Sequence, residues 1–191
     1  MEQPIEKIYT YEDLLALGDD VRAELIDGEL YMMSSPSRIH QDISRELCWQ
    51  IETFLRDKPC TMYNAPFDVH LFENNDESNG NINAVVQPDI MVVCDKSKLK
   101  DIYCKGAPDF IIEILSPSNI GYDRLKKFNL YQRAGVREYW IVDPNNSSVE
   151  VCLLNDDGRL LLTEVYLKND IAKVNVLPGC EIDLSKVFPE E

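Results

Sequence analysis

The chain has 191 residues, 45% of them apolar and 28% charged, with ten prolines and eight glycines. That composition excludes collagen-like, low-complexity and disordered classes, and the length suffices for one sizeable core. No apolar run reaches the roughly 18 residues of a membrane span, and MEQPIEKIYTYEDLLAL lacks the pattern of a secretory signal.

Nineteen Lys and Arg stand against 34 Asp and Glu, a net charge of −15. Taken alone, this disfavours general nucleic-acid binding, because phosphate contacts need a positive footprint. The charge is uneven, however. Residues 96–137 hold nine basic and four acidic side chains, leaving ten against 30 elsewhere. Six cysteines (Cys48, Cys60, Cys94, Cys104, Cys152, Cys180) form no CxxC pair, and several sit in apolar runs. The expectation is reduced, mostly buried thiols in a cytoplasmic protein. Two histidines are too few for finger-type zinc sites.

Thr10 and Asp13 form a capping-box pattern that opens a short helix through Leu17. RAELIDGELYMM alternates about Asp27-Gly28 and predicts a hairpin. Ser35-Pro36 predicts the start of a helix running to about Leu55, with Ile39, Ile43, Leu47, Ile51 and Leu55 as its core stripe. Residues 61–72 alternate as a strand, 73–83 read as a polar loop, and VVQPDIMVVC (85–94) reads as a buried strand. PDFIIEILS (108–116) is a second buried strand, broken by Ser116-Pro117-Ser118-Asn119 before a helix from about Ile120 to Ala134. EYWIVDP (138–144) is the next strand, and a β-rich tail with a hairpin at 156–158 follows. The order implies a mixed α/β (α+β) chain around a mixed sheet. The whole chain reads as one domain: helix and hairpin at 1–35, core at 36–144, and a β-rich C-terminal extension at 145–191.

Two charges are misplaced. Glu113 projects from the apolar strand PDFIIEIL, and Asp89 heads DIMVVC. A buried carboxylate must be paired, protonated or metal-bound. One reading makes Asp89 a strand cap and pairs Glu113 with a buried Arg or Lys. The other places a hard cation such as magnesium or manganese between the two carboxylates. In the helix YDRLKKFNLYQRA, Leu125, Phe128 and Tyr131 form the apolar stripe. Lys127 flanks that stripe and can reach towards Glu113, whereas Lys126 points to solvent. His40 and Gln41, near the start of the long helix, are candidate cleft-lining residues. His40 is either a proton shuttle or a hydrogen-bonded boundary residue. Phosphate-loop, dinucleotide and nucleophile-elbow patterns are absent, so no nucleotide cofactor is expected.

Glu24 to Glu29 (ELIDGE), Gln87-Pro88-Asp89, DFIIEILSPSN (109–119), Asp123-Arg124 with Lys127 and Tyr131, and AGVREYWIVDP (134–144) occur in that order. This ordered set resembles the Uma-two family of restriction endonucleases, within the PD-(D/E)XK nucleases. The resemblance implies a restriction-endonuclease-like core, a central mixed sheet flanked by helices. It carries the metal-binding acids onto Asp89 and Glu113, and an upstream catalytic acid, which could add a ligand or orient water, onto Glu24. The nuclease pattern wants lysine two residues after the second acid, where this chain has Leu115. In this family the lysine resembles one displaced onto the next helix, here Lys127. Arg124 and Tyr131, on the same helix, become candidate cleft-lining residues.

The implied activity is Mg²⁺- or Mn²⁺-dependent hydrolysis of DNA phosphodiester bonds. The basic segment 96–137 would face the phosphates, and a homodimer would pair two sites. Two alternatives remain open at this point. One is a catalytically silent, nucleic-acid-associated or regulatory module of the same fold. The other is an acidic interaction protein that mimics DNA.

Overall fold

The computed structural model describes residues 7–18, 20–72, 84–116 and 122–188, with the side chains of 122–124 excepted. The polar segment 73–83 and the break at 117–119 lie outside the described residues, as does the side chain of Arg124.

Thr10 caps α1 (Tyr11–Leu15), and Asp13 returns a bond to the Thr10 N–H at 2.9 Å, completing the capping box. The helix stops at Leu15, short of Leu17. The hairpin pairs β1 (Ala23–Ile26) with β2 (Glu29–Met32). Asp27 and Gly28 turn it with positive φ of 51° and 82°, as such a two-residue turn demands. The Gly28 carbonyl also accepts the Tyr9 N–H at 2.8 Å, strapping the N-terminal segment over the turn.

α2 (Arg38–Leu55) begins two residues later than expected. Ser37, not Ser35, is the cap, because its hydroxyl reaches the His40 N–H at 3.2 Å, and Pro36 precedes it. Ile43, Leu47, Ile51 and Leu55 are buried as the stripe predicts, but Ile39 is 43% exposed because the first turn is left uncovered.

Two segments expected as single strands are each divided between two sheets. Residues 61–72 give β3 (Thr61–Asn64) and β4 (Asp68–His70), parted at Ala65-Pro66. The strand expected at 85–94 gives β5 (Ala84–Val86) and β6 (Ile90–Val93), parted at Gln87-Pro88-Asp89. Proline has no N–H to donate to a ladder, so each Pro marks a crossing.

The remaining strands are β7 (Tyr103–Lys105), β8 (Phe110–Ile114), β9 (Glu138–Asp143), β10 (Ser148–Leu154), β11 (Leu160–Leu167), β12 (Ile171–Val174) and β13 (Cys180–Asp183). They complete a five-stranded sheet in the order β2-β1-β5-β4-β7, a six-stranded sheet in the order β11-β10-β9-β8-β6-β3, and the pair β12-β13. Only β8 and β9 run parallel in the six-stranded sheet, and α3 (Tyr122–Ala134) lies between them in sequence. The mixed, helix-flanked sheet is the expected one.

The central strands β6, β8 and β9 of the six-stranded sheet are buried on both faces, which explains their near-continuous apolar runs. Ile90, Val92, Ile112 and Trp140 pack against α2, β12, β13 and α4 (Leu184–Val187). Met91, Val93, Ile111 and Tyr139 pack against α3 and the five-stranded sheet. Val149, Val151 and Ile182 of the C-terminal extension join the first of these cores. No described helix is long and apolar enough to cross a membrane.

The cysteine expectation needs correction. Cys60 and Cys94 form a disulfide, while Cys48, Cys104, Cys152 and Cys180 are free. Antiparallel pairing of Thr61 with Val93 places Cys60 directly opposite Cys94, a relation that 34 intervening residues conceal in the sequence. The α3 stripe also differs. Leu125 is 62% exposed, and Leu130 is buried in its place.

A side chain at Gly28 would meet both an unfavourable φ and a Cβ contact of 2.6 Å with Ile8 Cγ2. Gly28→Ala is therefore expected to destabilise the protein by about 1 kcal/mol or more, read as a lowered unfolding midpoint in urea with unchanged slope.

Candidate active site

The β5–β6 crossing, the end of β8, the first turn of α2 and one face of α3 surround a cleft of about 530 Å³. Glu24, His40, Gln41, Asp89, Glu113 and Lys127 all line it. Residues spread over more than one hundred positions of sequence thus meet in one place. Tyr131 does not line the cleft; it is fully buried and reaches Glu113 within the core.

Asp89 is held by the crossing that ends one sheet and begins the other. Its main-chain carbonyl accepts the Ala65 N–H at 3.1 Å. Its Oδ2 accepts the Ile114 N–H at 2.8 Å and lies 3.1 Å from His40 Nε2. Burial alone would lower the His40 pKa. The Asp89 carboxylate, with Glu113 adding to it, outweighs burial and raises the pKa above the ordinary imidazole value. The other ring nitrogen, Nδ1, is buried without a hydrogen-bond partner.

Glu113 occupies the cleft end of β8. Its Oε1 accepts from Lys127 Nζ at 3.0 Å and from the Tyr131 hydroxyl at 2.5 Å. Lys127 and Tyr131 are one turn apart on α3, so both converge on a single oxygen. Burial pushes the Glu113 carboxyl up to about 7. Lys127 opposes that rise, Asp89 and Glu24 reinforce it, and the Tyr131 bond opposes it. Burial, followed by the charge of Glu113, likewise places the Tyr131 hydroxyl well above the ordinary phenol value.

Lys127 Nζ also lies 3.0 Å from Glu24 Oε1 on β1. Burial works against its charge, yet Glu113, Glu24 and Asp89 hold its pKa above the usual lysine value. Glu24 Oε1 accepts the Gln87 N–H at 2.9 Å as well, tying β1 to the crossing that carries Asp89. Glu24, Glu113 and Lys127 therefore form one buried ion-paired cluster, and Asp89 with His40 forms a pair beside it.

Lys126 does not point to solvent. The β1–β2 hairpin folds over the outer side of α3, and Lys126 Nζ meets Glu29 Oε2 at 2.7 Å. Arg133 pairs with Asp27 at 2.7 Å, and Arg137 with Asp109 at 3.1 Å. Four of the nine basic residues of the segment, Lys127 among them, are thus paired with carboxylates of the chain itself.

One element of the site is not anticipated by the sequence reading. Arg22 donates from Nε and Nη2 to Gln87 Oε1, at 3.3 and 2.9 Å, and Gln87 Nε2 donates to Asp68 Oδ1 at 2.8 Å. The only sequence signal was Gln87 itself, polar between the apolar runs of β5 and β6. Arg22 lies 65 residues from its partner, beyond the reach of any local pattern.

Removing the Lys127 charge would leave two buried carboxylates uncompensated. Lys127→Met is expected to cost about 3–5 kcal/mol. Tyr131→Phe, which deletes one bond to Glu113, is expected to cost about 1–3 kcal/mol. Urea unfolding monitored by circular dichroism measures both; a Lys127→Met loss smaller than that of Tyr131→Phe would contradict the ion-pair account.

Comparison with known proteins agrees with this architecture. A crystal structure described as "a putative nuclease belonging to DUF820", from Anabaena variabilis, superposes with a TM-score of 0.73, covering 94% of this chain and 97% of that one. Sequence identity is 19%, so the likeness is one of fold. Two proteins of Synechocystis are similar in sequence. "Uncharacterized protein slr1290" is 29% identical over 140 residues, 73% of this chain and 70% of its own length. "Uncharacterized protein sll1609" is 26% identical over 151 residues, 78% of this chain and 81% of its own length. The family model described as "Putative restriction endonuclease" matches residues 8–185, almost the whole described chain, and the protein belongs to that family, Uma2.

Proposed function

We propose that the protein is a divalent-metal-dependent endonuclease that hydrolyses DNA phosphodiester bonds, with Asp89 and Glu113 holding the metal and Lys127 acting beside it. The observation that carries this reading is the convergence of Asp89, Glu113 and Lys127 on one cleft in a chain of the Uma2 family. A purely structural ion pair has no need of a cleft.

The residues fit a small, hard cation. Among the described residues no group of three or more His, Cys, Asp or Glu could hold a metal. The donor set is instead two carboxylates and main-chain oxygen. The Ile114 N–H points at Asp89, and a strand residue's carbonyl projects to the same edge as its N–H. The last β8 residue paired with β6 is Ile112, so the Ile114 carbonyl lies beyond that ladder on the Asp89 side. Two carboxylates, one carbonyl and several waters suit Mg²⁺ or Mn²⁺.

When bound, the ion supplies Lewis acidity towards the scissile phosphate and the attacking water. The chain does the rest. Ile114 N–H and His40 fix the Asp89 carboxylate, and Tyr131 orients Glu113. Glu24 keeps Lys127 charged and placed, so its ammonium can steady the attacking water or the charge that grows on the phosphate. Gln41 lines the same cleft as a neutral contact.

One observation favours a second reading, a catalytically silent module of the same fold. Lys126, Arg133 and Arg137 are paired internally, which lessens the positive character of the segment 96–137 in an acidic chain. Cleavage of supercoiled plasmid at low salt with Mg²⁺ or Mn²⁺ separates the two. The endonuclease nicks, and both Glu113→Ala and Lys127→Ala reduce nicking roughly a hundredfold or more. Clean inactivity of the wild type, with no metal-dependent rise in melting temperature, selects the silent module.

We further infer that the protein forms a homodimer through β11. This strand is an edge of the six-stranded sheet, and Leu162, Val165 and Leu167 are each more than half exposed on it. Leu160 and Leu167 donate their N–H groups to Gln132 Oε1 and Asp170 Oδ2, which caps the edge at both ends and leaves its middle open. A bulge follows Leu162 in the β10 ladder, so Leu160, Leu162, Val165 and Leu167 share one side. An antiparallel second copy, related by a twofold between Thr163 and Glu164, pairs Leu162 with Val165 twice and sets no like charges opposite each other at its centre. Light scattering should give a dimer for the wild type and a monomer for Leu162→Lys/Val165→Lys, which sets like charges opposite each other twice; a monomeric wild type overturns this assignment.

A further inference from the structure

Among the described residues, four side chains that can carry positive charge line the cleft: Arg22, His40, Lys126 and Lys127. Three of them rest against carboxylates. His40 meets Asp89, Lys126 meets Glu29, and Lys127 meets Glu24 and Glu113. Arg22 is different, because both of its hydrogen bonds go to a neutral amide oxygen, Gln87 Oε1.

That amide is itself tightly placed. Gln87 Nε2 donates to Asp68 and the Gln87 N–H donates to Glu24, so the amide oxygen is turned towards Arg22. A glutamate in the same place would neutralise the guanidinium and, having no N–H for Asp68, would set two carboxylates against each other. Gln87 therefore orients Arg22 without cancelling its charge. Two of the guanidinium's five N–H donors are used by Gln87, and the planar fork of the others matches the spacing of phosphate oxygens. Position points the same way. Arg22 stands two residues before Glu24 and Gln87 two before Asp89, so the pair adjoins the acidic cluster.

We propose that Arg22, presented by Gln87, is a phosphate-binding subsite of the cleft that anchors a non-scissile phosphate of the nucleic-acid strand beside the site of cleavage. This rests on the nuclease reading above. It makes Arg22 a substrate-binding residue and Gln87 its positioning residue. It would also let an acidic chain engage DNA, through a cation that rests on no carboxylate among the described residues of the cleft.

The test is equilibrium binding of a fluorescently labelled DNA duplex, by anisotropy, without divalent metal and over a range of salt concentrations. Arg22→Gln should weaken binding roughly tenfold and reduce the slope of log K against log salt by about one. Gln87→Glu keeps Arg22 but places a carboxylate on it, and should weaken binding similarly; Arg22→Lys should restore most of the salt slope. Melting temperatures of the variants show that each is folded. If the wild type binds duplex and Arg22→Gln and Gln87→Glu bind equally well with unchanged slope, the subsite is overturned and the nuclease reading stands. If the folded wild type binds neither duplex nor single-stranded DNA, both fall together.

Discussion

A single ammonium organises this molecule. Lys127 of α3 lies 3.0 Å from Glu24 and 3.0 Å from Glu113, carboxylates borne by different sheets. Each carboxylate is nearly inaccessible, so neither could persist there ionised without a partner. The cation thereby fixes three distances at once: β1 to α3, β8 to α3, and one sheet to the other. Apolar packing between the sheets brings the strands near one another, but it does not select a rotation or a register. The shared ion pair does, because a displacement of an ångström or two would strand a buried charge.

The second constraint is proline chemistry at the crossing. Val85 and Val86 belong to one sheet and Ile90 to Val93 to the other, and Gln87-Pro88-Asp89 must pass between them. A segment that leaves one ladder before joining the next exposes polar main chain, and here it opens a cleft. Asp89, just before β6, consequently lies outside the core, yet it remains anchored by the Ile114 N–H of the neighbouring strand. Position and rigidity thus come from the same feature. The proposed chemistry uses both, since a metal ligand must be held firmly and still be reached from solvent.

The sequence showed the acids and the lysine because each violates a local rule. Glu113 interrupts an apolar strand, Asp89 heads another, and Lys127 flanks a helix stripe, so a buried position leaves a visible anomaly. What the sequence hid has no local signature. The division of 61–72 and 84–93 between two sheets depends on which neighbours are available, and alternation reads the same on either sheet. Lys126 lies far around the helix from the Phe128 stripe and would face water on an isolated helix. It is claimed by Glu29 only because the β1–β2 hairpin folds across α3. The Cys60–Cys94 bond and the Arg22–Gln87 contact are likewise products of pairing between distant strands, invisible to composition and spacing alike.

Two buried carboxylates of the molecule have contrasting surroundings. Glu138 is fully buried on β9, and burial raises its pKa as it does that of Glu113. Its oxygens accept from Trp140 Nε1 at 2.8 Å, from the Val176 N–H at 2.7 Å and from Asn175 Nδ2 at 3.3 Å. Those donors are neutral, belong to the core and the β12–β13 unit, and satisfy the group where no cleft residue approaches. Glu113 has the opposite environment, with a cation on one oxygen, further acids nearby and a cleft in front. Neutral donors are enough to bury a carboxylate in this fold. The arrangement around Glu113 ties the two sheets together through Lys127 and, unlike that of Glu138, does so in front of a cleft, where the proposed chemistry would use it.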